Sequence, residues 1–355
     1  MHSRVAGARL RGGSRSTGDA GRGRSGTALL AAAGVVAVAF PLSVLAVTLV
    51  RGTGSSPAPS AAPVPVASAV PGERSGVAAA WDGAGRRLVL FGGFGRAPAL
   101  RGQVLGDTWT WTSAAGWERL RLVPSPPARV GAGLVPDLVG GSLLLAGGYG
   151  TGGAGPLGDA WSLQDSGWTV GDGSGPVAAT LPALVDGDGT PLLVAPGQGG
   201  RSTTWRWIQG GWRAVPTTGG PVLGSEAVGV TLPPAGMLLV DRSGTGGGET
   251  WRFDGHAWSL LPDAGPAVFR PIGAILAADP SSGRLILAQV GPGSTTVSLL
   301  AWSGTAWVPG PPPPPAAPAA LVTDTTDHRL LALVPDGSGG LTVLALGSDG
   351  WSAAH

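Results

Sequence analysis

Beyond residue 80, seven-residue apolar runs recur six times: RLVLFGG from Arg87, SLLLAGG from Ser142, PLLVAPG from Pro191, MLLVDRS from Met237, RLILAQV from Arg284 and RLLALVP from Arg329. Their starts lie 55, 49, 46, 47 and 45 residues apart. Each run is nearly continuous in Leu, Val, Ile and Ala, where a strand with one wet face would alternate, so the pattern predicts strands covered on both faces. Five residues before each start stands Asp82, Asp137, Asp186, Leu232, Asp279 or Asp324, followed by turn formers such as GAGR, GDGT and PSSG. Asp bonds its own backbone and Gly reaches positive φ, which predicts a hairpin turn leading into every run.

A second signature follows each run, a Trp and another about seven residues later: Trp109 and Trp117, Trp161 and Trp168, Trp205 and Trp212, Trp251 and Trp258. In the last two units Leu300 and Leu344 replace the first Trp, while Trp307 and Trp351 keep the second. The links between them (SAAG, QDSG, IQGG, FDGH, WSGT, GSDG) are again turns, so each unit reads strand, turn, strand, loop, strand, turn, strand. Such a unit cannot bury its own faces, and six of them stacked radially remove most exposed edges.

WDGAGRRLVLFGG from Trp81 to Gly93, with GDTWTW from Gly106 to Trp111 and then Trp117, resembles a blade of the kelch family. The second unit repeats the pattern with LAGG and GDAW; later units lose the double glycine and keep the frame and the second Trp. The resemblance spans residues 76–355 and implies an all-β, six-bladed kelch-like β-propeller of the galactose-oxidase central-domain kind. Gly248-Glu249-Thr250-Trp251 also resembles the tail of a sialidase-type Asp box, without the box's Asp. No spare strand is visible at either end of the repeat. The ring is therefore expected to close by side-chain packing between the first and last blades, with no backbone bonds across the seam and early hydrogen exchange over 321–355.

Charge separates the chain into two parts. Residues 1–51 hold seven arginines and one Asp, net +6, whereas the remainder holds 16 arginines and 20 acids, net −4. The body is mildly acidic, which argues against nucleic acid as its partner. From Thr27 to Val50 the chain carries no charge; as a helix that stretch is about 36 Å long against a hydrocarbon core of about 30 Å. Six arginines precede it and only Arg51 follows closely, so the positive-inside bias places the N-terminus in the cytoplasm. The expected order is a basic cytoplasmic tail (1–26), a single transmembrane helix (27–50) acting as a signal anchor in the lipid bilayer, a disordered Pro/Ala/Ser linker (51–75) and the propeller (76–355) outside the cell membrane. A cleaved secretory signal, the competing reading, usually has a shorter apolar core. Either way the body is exported.

The residue inventory narrows the chemistry. With no cysteine, disulfides, thiolate metal sites and a Tyr-Cys copper centre are all excluded. The four histidines, His2, His256, His328 and His355, do not converge on a metal site, and no cofactor is expected. The frame aspartates recur at turns and read as turn formers; Asp107 and Asp159 open equivalent third strands and are expected to bond a loop backbone. With no catalytic set visible, the expected function is a membrane-anchored extracytoplasmic binding or scaffold module for an envelope protein or glycan. The alternatives are a carbohydrate-active enzyme on a propeller scaffold and a transmembrane signalling partner. Candidate ligand-binding residues are those that map to the face shared by the inter-blade linkers and the loops between second and third strands: Arg96, Arg101, Arg129, Tyr149, Arg201, Arg242, Glu249 and Arg270. GPPPPPAAP from Gly310 to Pro318 reads as a stiff insert between the last two blades.

Overall fold

The computed structural model describes residues 70–355 except 154, 174, 177–182, 186–187, 198–200, 224–226, 233–234, 242–246, 270–272 and 291–295. The tail, the apolar stretch 27–50 and residues 51–69 lie outside the described residues, as do Asp186, Arg242 and Arg270. Among the described residues no helix is long and apolar enough to cross a membrane.

Among the described residues the strands form six antiparallel sheets, five of four strands and one, the first, of five. They run over residues 74–120, 133–170, 183–215, 227–261, 275–309 and 320–353, each a meander paired in sequence order except for Arg74–Ser75 of the first. The opening strands of neighbouring sheets pack side by side in cyclic order, and Ala78–Asp82 of the first sheet completes the circle against Ala320–Asp324 of the sixth. This is the radial arrangement of a β-propeller, the all-β class that the repeat predicts.

The continuous apolar runs are explained by where alternate residues go. Leu88 and Leu90 pack with Trp81, Val322, Leu331 and Leu333 between the first and sixth sheets. Val89 and Phe91 point the other way, into a cluster with Leu143, Leu145 and Trp168 of the second. The described frame aspartates hold the hairpins as expected: Asp82 accepts from the Gly85 amide (3.0 Å), Asp137 from Gly140 (2.8 Å), Asp279 from Ser281 (3.1 Å) and Asp324 from Thr326 (2.9 Å).

In the first, second, fourth and fifth units the second Trp hydrogen-bonds to the preceding sheet of the ring, whereas Trp351 of the sixth donates to the Pro312 carbonyl of the linker (2.7 Å). The indole N–H of Trp168 donates to the Thr108 hydroxyl (3.0 Å), that of Trp258 to Thr204 (2.9 Å) and that of Trp307 to Thr250 (3.0 Å). Across the seam Trp117 donates to the Leu341 carbonyl (3.1 Å). The cross-strand mate of this Trp in each sheet is Trp111, Leu163, Trp207, Phe253, Trp302 or Leu346. Trp302 thus fills in the fifth sheet a row that the pairing of Leu300 with Trp307 in sequence does not reveal.

Ring closure differs from the sequence expectation. Pro71 to Glu73 run alongside Gly339 to Leu341: Glu73 N donates to the Gly339 carbonyl (2.7 Å), Leu341 N donates to Pro71 (2.9 Å), and Gly72 and Gly340 form an antiparallel bridge. Arg74–Ser75 then pair with Phe94 and Gly95 as the fifth strand of the first sheet. The fold therefore begins before residue 76, and backbone bonds do cross the seam. The reason is that two or three isolated bonds suffice for a strap, and such a short segment carries no strand pattern.

Candidate functional site

The linkers between sheets and the loops between second and third strands do share a face, because they are hydrogen-bonded to one another. Val130 and Tyr149 exchange both backbone bonds (3.0 and 2.9 Å), Ser202 N donates to Pro221 (3.0 Å), and Gly248 N donates to Pro266 (3.0 Å). The double glycines admit these contacts. A Cβ on Gly92 would lie 2.6 Å from the Arg129 carbonyl oxygen, and one on Gly148 would lie 2.9 Å from the Val130 carbonyl. Both glycines also have positive φ, 65° and 87°.

Beneath this face the first two sheets repeat one polar array. Arg129 forms a bidentate pair with Asp159 (2.8 and 2.7 Å), also donates to the Gly147 and Pro127 carbonyls, and Asp159 accepts from the Trp161 indole (2.6 Å). Arg74 does the same with Asp107 (2.6 and 3.1 Å), with the Gly92 and Gly72 carbonyls, and Asp107 accepts from Trp109 (2.7 Å). Each guanidinium thus ties a linker to its sheet through the second strand's glycine and the third strand's acid. Glu249, at the equivalent place in the fourth sheet, accepts from Trp251 (3.1 Å).

Two expectations change as a result. Arg129 is not available to a ligand: its side chain has no exposure and its donors are committed within the fold. Asp107 and Asp159 bond a guanidinium and an indole rather than a loop backbone. Sequence reading missed Arg74 altogether, although Arg-x-Gly at 74–76 and 129–131 stands eight residues before the frame Asp in both units.

Burial works to raise the pKa of Asp107 and of Asp159, but the arginine bonds and charge, with the indole bond, outweigh it and hold both carboxyls below the usual aspartate value. A depressed folded-state pKa gives stability that is present above the unfolded value, about 3.9, and is lost as pH falls through the folded one. Thermal melts should therefore drop as pH is lowered below about 4, and Asp159→Asn should flatten that dependence. An equally steep loss in the variant would contradict the assignment.

The remaining candidates sit outward. Arg96 and Arg101 lie on the loop of the first sheet, where Arg96 donates to the Ser75 hydroxyl (3.1 Å) and Arg101 is exposed with no partner among the described residues. Tyr149 is on the corresponding loop of the second sheet, its backbone bridged to Val130 and Pro156 while the residue is 43% exposed. Arg201 is exposed at the loop of the third, its backbone bridged to Val222. The structure thus distributes these four over the loops of three successive sheets.

On the opposite face a shallow pocket of about 370 Å³ opens between the hairpins of the first two sheets, near Asp82, Gln164 and Asp165. Its charges are internally paired, since Arg87 bonds both Asp82 (2.9 Å) and Asp165 (3.3 Å). Among the described residues no three His, Cys, Asp or Glu gather closely enough to hold a metal ion.

Solved structures share this architecture. A mutant of the Aleuria aurantia lectin in complex with Fucα1-6GlcNAc superposes with a TM-score of 0.56 at 15% identity, covering 80% of this chain and 97% of that one. AofleA from Arthrobotrys oligospora gives 0.56 at 14%, over 80% and 86%. YjhT gives 0.54 at 12%, over 81% and 100%. The likeness is one of fold. No protein-family model matches the sequence, the kelch family included, and no curated protein matches it.

Proposed function

We propose that this chain is a membrane-anchored, extracytoplasmic binding module of kelch-like design that takes a saccharide on its loop face. The observation that carries the reading is Tyr149, an exposed ring on a turn whose backbone is bonded on both sides, with exposed arginines on the neighbouring loops. A rigid aromatic offers contact area at low entropic cost, and arginines supply directional donors to hydroxyl or acidic groups. The lectin among the structural neighbours supports a glycan as the ligand class. The uncharged stretch 27–50 behind a basic tail supports the anchor.

Glycan binding by the full chain in detergent, with Tyr149→Ala beside the wild type, tests this directly. The variant should lose affinity about tenfold, equivalent to about 1.4 kcal/mol, with an unchanged melting temperature. Equal affinity in the two proteins would move the site elsewhere, and no glycan binding by either would remove the reading. In cells, a tag at the C-terminus should be reachable from outside and one at the N-terminus should not.

A further inference from the structure

Four third strands begin with comparable rows of alternate residues, which lie on one face of each strand. The rows are Leu105, Asp107, Trp109 in the first sheet, Leu157, Asp159, Trp161 in the second and Gly247, Glu249, Trp251 in the fourth. In all three the acid accepts from the indole N–H two residues on. The third sheet reads Arg201, Thr203, Trp205. Thr203 stands where the acid should be, and its hydroxyl lies against Gly197, so that a Cβ there would collide with it. The Trp205 indole nitrogen is buried and makes no hydrogen bond among the described residues. Eight residues before the frame Asp, where the first two units have Arg74 and Arg129, the third has Ala178.

Among the four units that keep the indole donor, this one alone has both halves of the internal Arg-carboxylate pair replaced. At the same time the row gains an arginine of its own. Arg201 is exposed, its side chain has no partner among the described residues, and its backbone is held by Gly197 (2.6 Å) and by the bridge to Val222. A buried donor without an acceptor costs free energy, which a ligand acceptor would recover.

We infer that the third strand of the third sheet, Ser202–Ile208 with Arg201 at its mouth, is a carboxylate subsite. A ligand carboxylate entering beside Arg201 pairs with its guanidinium and accepts from the Trp205 N–H, so completing from outside the Arg-carboxylate-Trp array that the first two sheets build from within. A carboxylate is favoured over other oxyanions because both internal arrays hold one bidentately. Resting on the glycan reading above, the inference narrows the ligand to an acidic saccharide of the uronic or sialic type.

The test uses the full chain in detergent with ¹⁵N-labelled tryptophan, the Trp205 indole signal being the one lost in Trp205→Phe. D-glucuronate should move that signal, and D-glucose and inorganic phosphate should not. Arg201→Ala should weaken the glucuronate response about tenfold. Thr203→Asp, which supplies the internal acceptor, should shift the ligand-free signal and abolish the response without lowering the melting temperature. Three results would overturn the inference: a Trp205 signal indifferent to glucuronate, an equal response to phosphate, or full binding by both variants. Glucose binding that ignores glucuronate would overturn it while leaving the glycan reading in place; binding of no sugar at all would remove both.

Discussion

Arg74→Ala should destabilise the propeller by about 3–5 kcal/mol, because removing one partner of a buried ion pair leaves the other charge without compensation. Arg74 and Asp107 are both largely shielded from water, and the same guanidinium also binds the Gly92 and Gly72 carbonyls. The substitution thus strikes the first sheet and the strap beside it together. Urea unfolding measures the total, and native-state hydrogen exchange should show the Glu73 and Leu341 amides losing more protection than those of the second sheet. Removing Asp107 as well should restore part of the loss, since the stranded carboxylate goes with it. A single-variant effect under about 1 kcal/mol would mean that the pair is solvated and incidental.

Trp168→Ala should cost a similar 3–5 kcal/mol, the range for deleting a buried aromatic. The side chain is 2% exposed, packs edge-on to Phe91 at 5.6 Å between ring centres, and donates to Thr108 of the preceding sheet. Trp168→Phe separates the two contributions. It keeps most of the packing and strands the buried Thr108 hydroxyl, for an expected cost of about 1–3 kcal/mol. If the alanine variant melts like the wild type, the indole is not part of the joint between the sheets.

The architecture was legible because its signal is repeated. A run such as Leu88 to Phe91, apolar at successive positions, has one structural explanation when it recurs behind an Asp-led turn: each strand has a neighbour on both sides. The site was less legible because exposure is not written in residue type. Arg129, in a proline-rich linker, reads as a free surface cation, yet its partner Asp159 lies 30 residues further on and the pair closes beneath the surface. Arg74 was lost for a related reason, since it follows a Pro/Ala/Ser stretch that has no period. Comparing units in register would have found it, because an arginine 18 residues before a double glycine, with an acid following, occurs twice. Trp205 shows the reverse case: Thr203 in place of the acid and Ala178 in place of the arginine can be read in sequence, but that the indole is left without an acceptor among the described residues is visible only in the structure.

The strap of Pro71 to Glu73 changes what a pull on the chain would do. Residues 71–73 lie across the last sheet while Arg74–Ser75 are woven into the first. Tension applied at residue 70 would load both ends of the ring at once, with the two backbone bonds to Gly339 and Leu341 taking the strain before any strand is peeled away. A tether attached at that point would act as a latch drawn across the join, so that the site of greatest mechanical demand coincides with the place where the first and last sheets are bound together.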